Sequence, residues 1–282
     1  MKKDRESSPV QKQFKSLLRA VGILNLLEEK TALSVPEISA SLKLPSSSVY
    51  KYLSVMRECR LVDRDRNQGK YRLGMRLFEL GTAVQNRIAI HRIARPYMEE
   101  LANRLGETVG ISVMDGNSTL FLETVEPENT EGSVLLSVRK GHRTSLHAGA
   151  MGKIFLAHLP EERIDHFLRT QELVKYSEKT IVDPEELRKQ VMTIREVGYA
   201  ISDEEIDPGV MALAAPIFDH EGKIMAGLVV LGPSQRIDDA RKKIIAKETR
   251  EYSRKISERV RGGTRRMADN GQVPGDSPQF GL

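Results

Sequence analysis

The sequence is poor in the residues that mark secreted, metal-binding and membrane proteins. It has one cysteine, no tryptophan and few aromatic side chains. Cys59 has no second cysteine to pair with, and no Cys/His cluster has zinc spacing, so we expect neither a disulfide framework nor a zinc site. The longest apolar run, at 224–232, is far below the roughly 18 residues that a membrane helix needs, and the N-terminus lacks the apolar segment of a signal peptide. We therefore expect a cytoplasmic protein with no membrane partner, no metal and no cofactor.

Charge is distributed unevenly along a chain that otherwise has the composition of a globular protein. The 282 residues are 39% hydrophobic and 29% charged, with a net charge of +5. Residues 1–76 contain 16 Lys and Arg against 8 Asp and Glu, which gives +8, whereas residues 77–235 contain 16 against 24, which gives −8. This asymmetry indicates that the N-terminal part alone meets a polyanion.

Three helical patterns and a hairpin pattern fill the first quarter of the chain. Apolar residues recur at three- and four-residue spacing over 14–29, Ser34 and Glu37 have capping-box spacing at the start of a second helix, and Pro45 opens a third. Residues 61–74 alternate around an Asn-Gln-Gly turn, which is typical of a β-hairpin. This order predicts a winged helix-turn-helix.

The third helix and the hairpin carry the candidate DNA contacts. In a helix-turn-helix the N-terminal part of the second helix of the pair enters the major groove, where small hydroxyl side chains and cations can approach phosphates and base edges. The candidates are Ser46, Ser47, Ser48, Tyr50 and Lys51 on the helix, and Arg64, Arg66, Lys70 and Arg72 on the hairpin. Taken alone, the serines fit a plain helix cap equally well, and a protein-interaction module is an alternative for the whole segment. The local charge favours DNA.

The rest of the chain mixes helical and strand patterns. A helical stretch after the hairpin is predicted to break near Arg95 and Pro96, because a residue before proline disfavours the helix. Strand-like pairs surround turn residues at 115–117 and 219–222, and residues 261–282 lack hydrophobic periodicity. Helical patterns cover 149–158, 160–169, 183–197 and 236–260. The order indicates an α+β domain with antiparallel hairpins, followed by a disordered tail.

A glycine-rich bend and an acidic segment are the candidate binding elements of this second domain. Backbone N–H groups around Gly149, Ala150 and Met151 are placed to face an anion with a helix dipole behind them; the alternative is that glycine only permits close packing of a helix start. Asp203 and Glu205 point the same way if the backbone is extended. The alternative there is a solvated acidic loop.

Catalysis has little support. Ser145, His147 and Asp203 contain the residue types of a hydrolase triad, but no nucleophile-elbow sequence or oxyanion motif accompanies them. Lys153 follows a glycine, yet the spacing and the Ser or Thr of a phosphate-binding P-loop are missing. We therefore expect a protein that is not an enzyme, with His147 in a structural or pocket-lining role.

Four stretches together resemble the IclR (isocitrate lyase regulator) family of bacterial transcription factors over about residues 13–258. They are LPSSSVYKYLSVM, GKYRLGMRLFELG, SLHAGAMGKIFLAHLP and GYAISDEEIDPGVMALAAPIFDHEGKIMAGLVVLGPSQRI. The resemblance implies a homodimer or homotetramer that binds a palindromic operator in double-stranded DNA. It also implies a flexible N-terminus at 1–12, a winged helix-turn-helix at 13–75, a linker helix at 76–92, a GAF-like effector-binding and oligomerisation domain at 93–260, and a tail at 261–282.

The resemblance further implies an effector pocket built from the glycine-rich bend, the acidic segment and the strands after it. Its expected lining is Leu146, Gly149, Ala150, Met151, Asp203, Glu205, Met211, Leu213, Val229 and Leu231. Some relatives have Cys or Ser where this chain has Leu213, Val229 and Leu231, so the pocket of this chain is expected to be more apolar. A small, highly hydroxylated acid would leave polar atoms unpaired in it, at a cost of about 1–3 kcal/mol each. We therefore expect an aromatic or branched organic acid that modulates operator affinity. A constitutive DNA-binding oligomer is the first alternative, and a DNA-tethered enzyme is the second.

Overall fold

The computed structural model describes residues 15–65, 68–88, 90–128, 136 and 138–269. These residues divide into two compact units with the boundary after Ile88, here termed the N-terminal and C-terminal domains. Within the described part of the chain, no helix combines the length and the apolar character needed to cross a membrane.

The described part of the N-terminal domain consists of four helices and a two-stranded antiparallel hairpin. The elements are α1 (Lys15–Glu29), α2 (Val35–Leu42), α3 (Ser46–Glu58), β1 (Val62–Arg64), β2 (Tyr71–Leu73) and α4 (Met75–Arg87). The core is one cluster of apolar side chains, with Ile23 of α1, Ile38 of α2 and Leu53 of α3 fully buried. A backbone bridge between Leu33 and Tyr71 ties the α1–α2 connection to the hairpin. The predicted winged helix-turn-helix is therefore confirmed.

Local hydrogen bonds fix both ends of α2. Glu37 Oε2 accepts from both N and Oγ of Ser34 at 2.7 Å, which closes the start of α2. At the other end, Lys43 takes a left-handed conformation with φ of 52°, and its N–H returns to Ala40 O. Pro45 then precedes α3, and no described side chain caps that helix. Both ends of α2 are therefore set by residues close to one another in the sequence.

The described part of the C-terminal domain forms an antiparallel sheet of six strands, in the order β5-β4-β3-β8-β7-β6, with helices on both faces. Its elements are α5 (Ile90–Leu105), β3 (Thr108–Asp115), β4 (Ser118–Val125), β5 (Arg143–Ser145), α6 (Gly149–Ala157), α7 (Glu161–Thr170), α8 (Pro184–Val197), β6 (Ala200–Asp203), β7 (Val210–Phe218), β8 (Ile224–Pro233), a 3-10 turn (Ser234–Arg236) and α9 (Asp239–Asp269). Helix α6 contacts β6, β7 and β8, while α5 and α9 cover the apolar residues of the opposite face.

Two helix boundaries differ from the sequence predictions. Helix α4 ends at Arg87 and α5 begins at Ile90, so the break precedes Pro96, which lies inside α5. A proline inside a helix costs about 3 kcal/mol, and the buried face of α5, which includes Met98 and Leu101 at 0% exposed, offsets that cost. The last helix continues to Asp269, past the predicted end at 260. Gly262 lowers helix propensity but keeps its backbone N–H, so it does not end the helix as a proline would. Residues 1–12 and 270–282 lie outside the described residues.

Candidate functional sites

The N-terminal half of α3 presents a polar surface to solvent. Tyr50 is 54% exposed, and Ser46, Ser47 and Lys51 are exposed with it, while Ser48 is half-buried. Ser46 Oγ lies 3.3 Å from Ser39 Oγ of α2. The opposite face of α3 packs into the core through Val49, Leu53 and Met56. Four of the five predicted contact residues of α3 are therefore exposed to solvent, and Ser48 is half-buried.

Two further residues extend this surface and were not predicted. Ser54 and Val55 are exposed on the next turn, and Val55 is 59% exposed although it is apolar. They follow Lys51 at three- and four-residue spacing, which is the spacing that brings helical residues onto one face. That spacing is the signal that could have identified them. An exposed aliphatic side chain beside polar ones suits contact with a thymine methyl group.

The hairpin residues have partners inside the domain. Arg64 Nε donates to Gly69 O at 3.4 Å, and its guanidinium carbon lies 5.7 Å from the centre of the Tyr71 ring. Lys70 Nζ is 3.9 Å from a carboxylate oxygen of Glu37. Arg72 stands opposite Asp63 in the strand pair, and Arg66 lies outside the described residues. The hairpin therefore presents cations, and Arg64 and Lys70 among them are oriented by neighbours within the hairpin and in α2.

Glycine is required at two positions of the bend that opens α6. Gly149 has φ of 76°, and a Cβ there would come within 2.7 Å of Ile206 Cδ1. A Cβ on Gly152 would overlap the carbonyl oxygen of Ser145. Close packing, the alternative considered from the sequence, therefore accounts for both glycines. It does not account for the charged groups that meet at the same place.

A buried ion pair occupies the N-terminus of α6. Lys153 is fully buried, and its Nζ contacts Glu205 Oε1 and donates to Ile201 O at 2.9 Å. Glu205 Oε2 accepts from Gly149 N at 3.3 Å. Burial lowers the pKa of the Lys153 ammonium, and the Glu205 carboxylate acts in the opposite direction. The anion predicted to face this helix start is therefore a carboxylate of the chain itself, and sequence reasoning missed the cation that holds it.

Asp203 does not join this site. Its side chain is 43% exposed and lies 3.6 Å from Lys179. Glu204 has φ of 60°, so the backbone is not extended there and the alternation that would align Asp203 with Glu205 fails. Hydrogen bonding from Ser234 Oγ at 2.6 Å, together with Lys179, lowers the pKa of Glu204. The prediction that Asp203 and Glu205 point into one pocket is wrong because of this left-handed residue.

The strand residues predicted for the pocket fall on both faces of the sheet. Val229 and Leu231 belong to the apolar cluster that contains Leu146, Ala150 and Met151. Ala212 pairs with Leu231 and Ala214 with Val229, so these alanines share that face. Met211 and Leu213 alternate with them and face the other side, so their assignment to the pocket is wrong. Ala212 and Ser202, which pair with each other, lie on the α6 side instead; the period of two along β7 was the available signal.

Two hydroxyl groups on the same face of the sheet lack partners. Thr108 pairs with Leu231 and Ser112 with Gly227 across β3 and β8, which puts both on the α6 side. Both residues are 0% exposed, and neither Oγ has a hydrogen-bond partner among the described residues. Buried hydroxyls are usually satisfied, because an unpaired one costs about 1–3 kcal/mol. The face therefore combines small apolar residues with hydrogen-bonding capacity that the described chain leaves unused.

His147 is fixed in a structural arrangement. Its Nε2 lies 2.9 Å from Val174 O, and its Nδ1 lies 2.6 Å from Ser145 Oγ. Because a carbonyl oxygen only accepts, Nε2 carries the proton and Ser145 donates to Nδ1. The ring stacks on Tyr176 with centroids 5.7 Å apart. A backbone carbonyl thus takes the place that Asp203 would need for a triad, and the described residues contain no group of three or more metal-ligating side chains.

A helix-turn-helix domain and a separate antiparallel-sheet domain in one chain are the organisation of the helix-turn-helix transcriptional regulators that have a sensor domain. Residues 16–66 match the family model of the IclR helix-turn-helix domain, and residues 82–258 match that of the bacterial transcriptional regulator IclR C-terminal domain. The chain therefore belongs to the IclR family of bacterial transcriptional regulators, as its sequence resemblance indicated.

Relatives and solved structures agree with this assignment. The chain is 31% identical over 251 residues to the HTH-type transcriptional regulator KipR of Bacillus subtilis, covering 89% of this chain and 99% of KipR. It resembles the crystal structure of the Thermotoga maritima IclR with a TM-score of 0.70 and 30% identity, over 87% of this chain and 98% of that one. An IclR homolog from Microbacterium hydrocarbonoxydans, complexed with 4-hydroxybenzoate, matches with a TM-score of 0.73 and 28% identity over 87% and 97%. These relatives are regulators rather than enzymes.

Proposed function

We propose that this regulator binds a palindromic operator as a homodimer or homotetramer, and that a small organic acid held at the N-terminus of α6 modulates the binding. One observation carries the second half of the proposal. Lys153 Nζ and Gly149 N–H converge on a carboxylate beside an apolar cluster. A fully buried ammonium together with a helix N-terminus is suited to a carboxylate, because both favour negative charge.

The surroundings of this anion position favour an effector with an aromatic or branched apolar body. The α6 face of the sheet is formed by Val229, Leu231 and small residues such as Ala212 and Ala214. Such surfaces accommodate apolar groups, since pockets for small molecules are mainly apolar with a few well-placed polar groups. The complex of the Microbacterium homolog with 4-hydroxybenzoate supports an aromatic carboxylate for this chain as well.

The surface of the N-terminal domain supports binding as an oligomer. Leu17 of α1 is 64% exposed, and Met75 and Phe78 of α4 are 61% and 68% exposed. The same two helices also expose Leu18, Val21, Leu80 and Val84. Several exposed apolar side chains on two helices are more than a monomer usually carries, and contact between copies would bury them. A two-fold dimer presents two copies of α3 to the two half-sites of a palindrome.

Operator titrations with candidate acids test this function. Fluorescence anisotropy would follow binding of the chain to a duplex from upstream of its gene, with and without 4-hydroxybenzoate, benzoate and branched aliphatic acids. We expect at least one acid to change the operator affinity by about fivefold or more without being consumed. Operator binding that no acid alters would favour the constitutive oligomer, and turnover of an acid would favour the DNA-tethered enzyme.

A further inference from the structure

The segment that carries Glu205 is held by polar contacts at its edge. Thr180 Oγ1 donates to Glu205 O and Ser177 Oγ donates to Glu204 O, both at 2.6 Å. Ser234 Oγ donates to Glu204 Oε1 at 2.6 Å. Each of these bonds can be exchanged for a bond to water, so opening the segment need not leave polar groups unpaired.

The same segment contains strained backbone and covers the start of α6. Glu204 is a non-glycine residue with φ of 60°, a conformation that L-residues seldom adopt. Ile206 lies against Gly149, where even a Cβ would come within 2.7 Å of its Cδ1. Residues 204–206 therefore hold the carboxylate of Glu205 in place and also shield the anion position from solvent.

We propose that Glu205 is a built-in competitor of the effector: its carboxylate occupies the position on Lys153 and Gly149 N–H that the effector's carboxylate takes after residues 204–206 move away. This inference rests on the proposed function and deepens it. Two carboxylates beside one buried ammonium would leave a net negative charge away from water, which is strongly unfavourable. Binding of an acid and retention of Glu205 on Lys153 are therefore mutually exclusive, and acid binding opens the segment.

Competition with Glu205 makes binding depend on the charge of the ligand. A neutral ligand of the same shape cannot replace the carboxylate on Lys153, so it cannot compensate the buried ammonium after Glu205 leaves. An acid restores the ion pair and contributes its apolar body to the adjacent cluster. The chain therefore distinguishes an acid from its amide at the step in which the segment opens, and that movement couples ligand binding to a change in conformation.

The test compares benzoate with benzamide, its neutral isostere, by isothermal titration calorimetry on the full chain. We expect Glu205→Gln to bind benzoate about tenfold more tightly than the unmodified chain, which follows if Glu205 holds the site about 90% of the time. Benzamide affinity should stay unchanged. The double variant Lys153→Met/Glu205→Gln removes the cation together with its competitor, so it should lose the gain for benzoate while remaining folded.

A purely structural role for the pair predicts a different result, namely that Glu205→Gln leaves benzoate affinity unchanged or weakens it. That result, with benzoate bound by the unmodified chain, would overturn the competition and leave the proposed function intact. Failure of both the unmodified chain and Glu205→Gln to bind benzoate would contradict both proposals.

A second variant covers the case in which Glu205→Gln does not fold. Ser234→Ala removes the hydroxyl that donates to Glu204 Oε1 and leaves the ion pair of Lys153 with Glu205 in place. Because it loosens the segment by about one hydrogen bond, it should tighten benzoate about threefold. Unchanged or weaker binding of benzoate by this variant would count against the competition.

Discussion

Helices α3 and α6 both begin with small residues, but the start of α3 is exposed to solvent (the open start) and the start of α6 is buried (the closed start). Neither helix has a hydrogen bond from the side chain of its N-cap residue. Ser46 and Ser47 of α3 are exposed, whereas Gly149 and Ala150 of α6 are buried, and the Gly149 N–H is bonded to Glu205. A DNA backbone is a large ligand that needs an open approach, while a small acid is held best where water is excluded. Under the proposed function, the same anion-binding physics serves DNA at the exposed helix start and a small acid at the buried one.

An added methyl group at the buried start of α6 should destabilise the C-terminal domain, and this is the largest effect we predict. Gly152→Ala places a Cβ against the carbonyl oxygen of Ser145 and within 2.9 Å of Leu146 Cα. Because backbone atoms cannot turn aside as a side chain can, we expect a loss of about 3 kcal/mol in the stability of the C-terminal domain. Differential scanning calorimetry would measure it. Gly262→Ala, where nothing lies within 4 Å of the added Cβ, is the matched control and should stabilise slightly or not at all.

At the exposed start of α3, operator affinity should instead depend on positive charge. Lys51→Ala removes an exposed cation from the α3 surface, and we expect operator affinity to fall about tenfold for a protein that places two such helices on DNA. The plot of log affinity against log salt should become shallower by about one for each phosphate that is no longer neutralised. Lys30→Ala removes the same charge from an exposed site outside α3 and should change both quantities less. Equal effects of the two variants would show that α3 is not the recognition helix.

Among the described residues, two buried hydroxyls on the α6 side of the sheet have no hydrogen-bond partner. Thr108→Val replaces a buried hydroxyl that has no partner among the described residues, so we expect a gain of about 1 kcal/mol in unfolding free energy. The matched control is Thr249→Val in α9, because Thr249 is equally buried but its Oγ1 donates to Ile245 O at 2.7 Å. That control should lose about 1 kcal/mol. Calorimetric midpoints that move in the same direction for both variants would mean that Thr108 has a partner.

The helix-turn-helix could be predicted from sequence in more detail than the surroundings of the start of α6. The helix-turn-helix is built from neighbours in the chain, such as Ser34 with Glu37, and the three-residue spacing already specifies their contact. The anion position depends on residues that are far apart, since Lys153 meets Glu205 52 positions later. No local pattern predicts such a contact. Sequence reasoning therefore found the glycine bend and missed the cation behind it.

Two placements near the start of α6 differ from the predictions, and each has its own physical reason. Between Asp203 and Glu205 the left-handed Glu204 breaks the extended backbone, so a period of two no longer applies. Along β7 the period does apply, and Met211 and Leu213 face away from the cluster that contains Ala212 and Ala214. The family resemblance assigned Met211 and Leu213 to the pocket lining, whereas the β7 residues on the side of α6 include the small residues Ala212 and Ala214.

The smallest effect we predict belongs to the capping box of the helix-turn-helix. Hydrogen bonding from the Ser34 backbone and hydroxyl lowers the pKa of Glu37. A depressed carboxyl pKa contributes stability above its unfolded value of about 4.3, and this contribution is lost as pH falls through the folded value. Glu37→Gln can keep the hydrogen bond without the charge, so its melting midpoint should fall less between pH 6 and pH 3 than that of the unmodified chain. Glu29→Gln removes another exposed carboxylate, at the end of α1, and its melting midpoint should fall as much as that of the unmodified chain. An equal response of both variants would mean that exposed carboxylates in this domain affect stability only through the net charge.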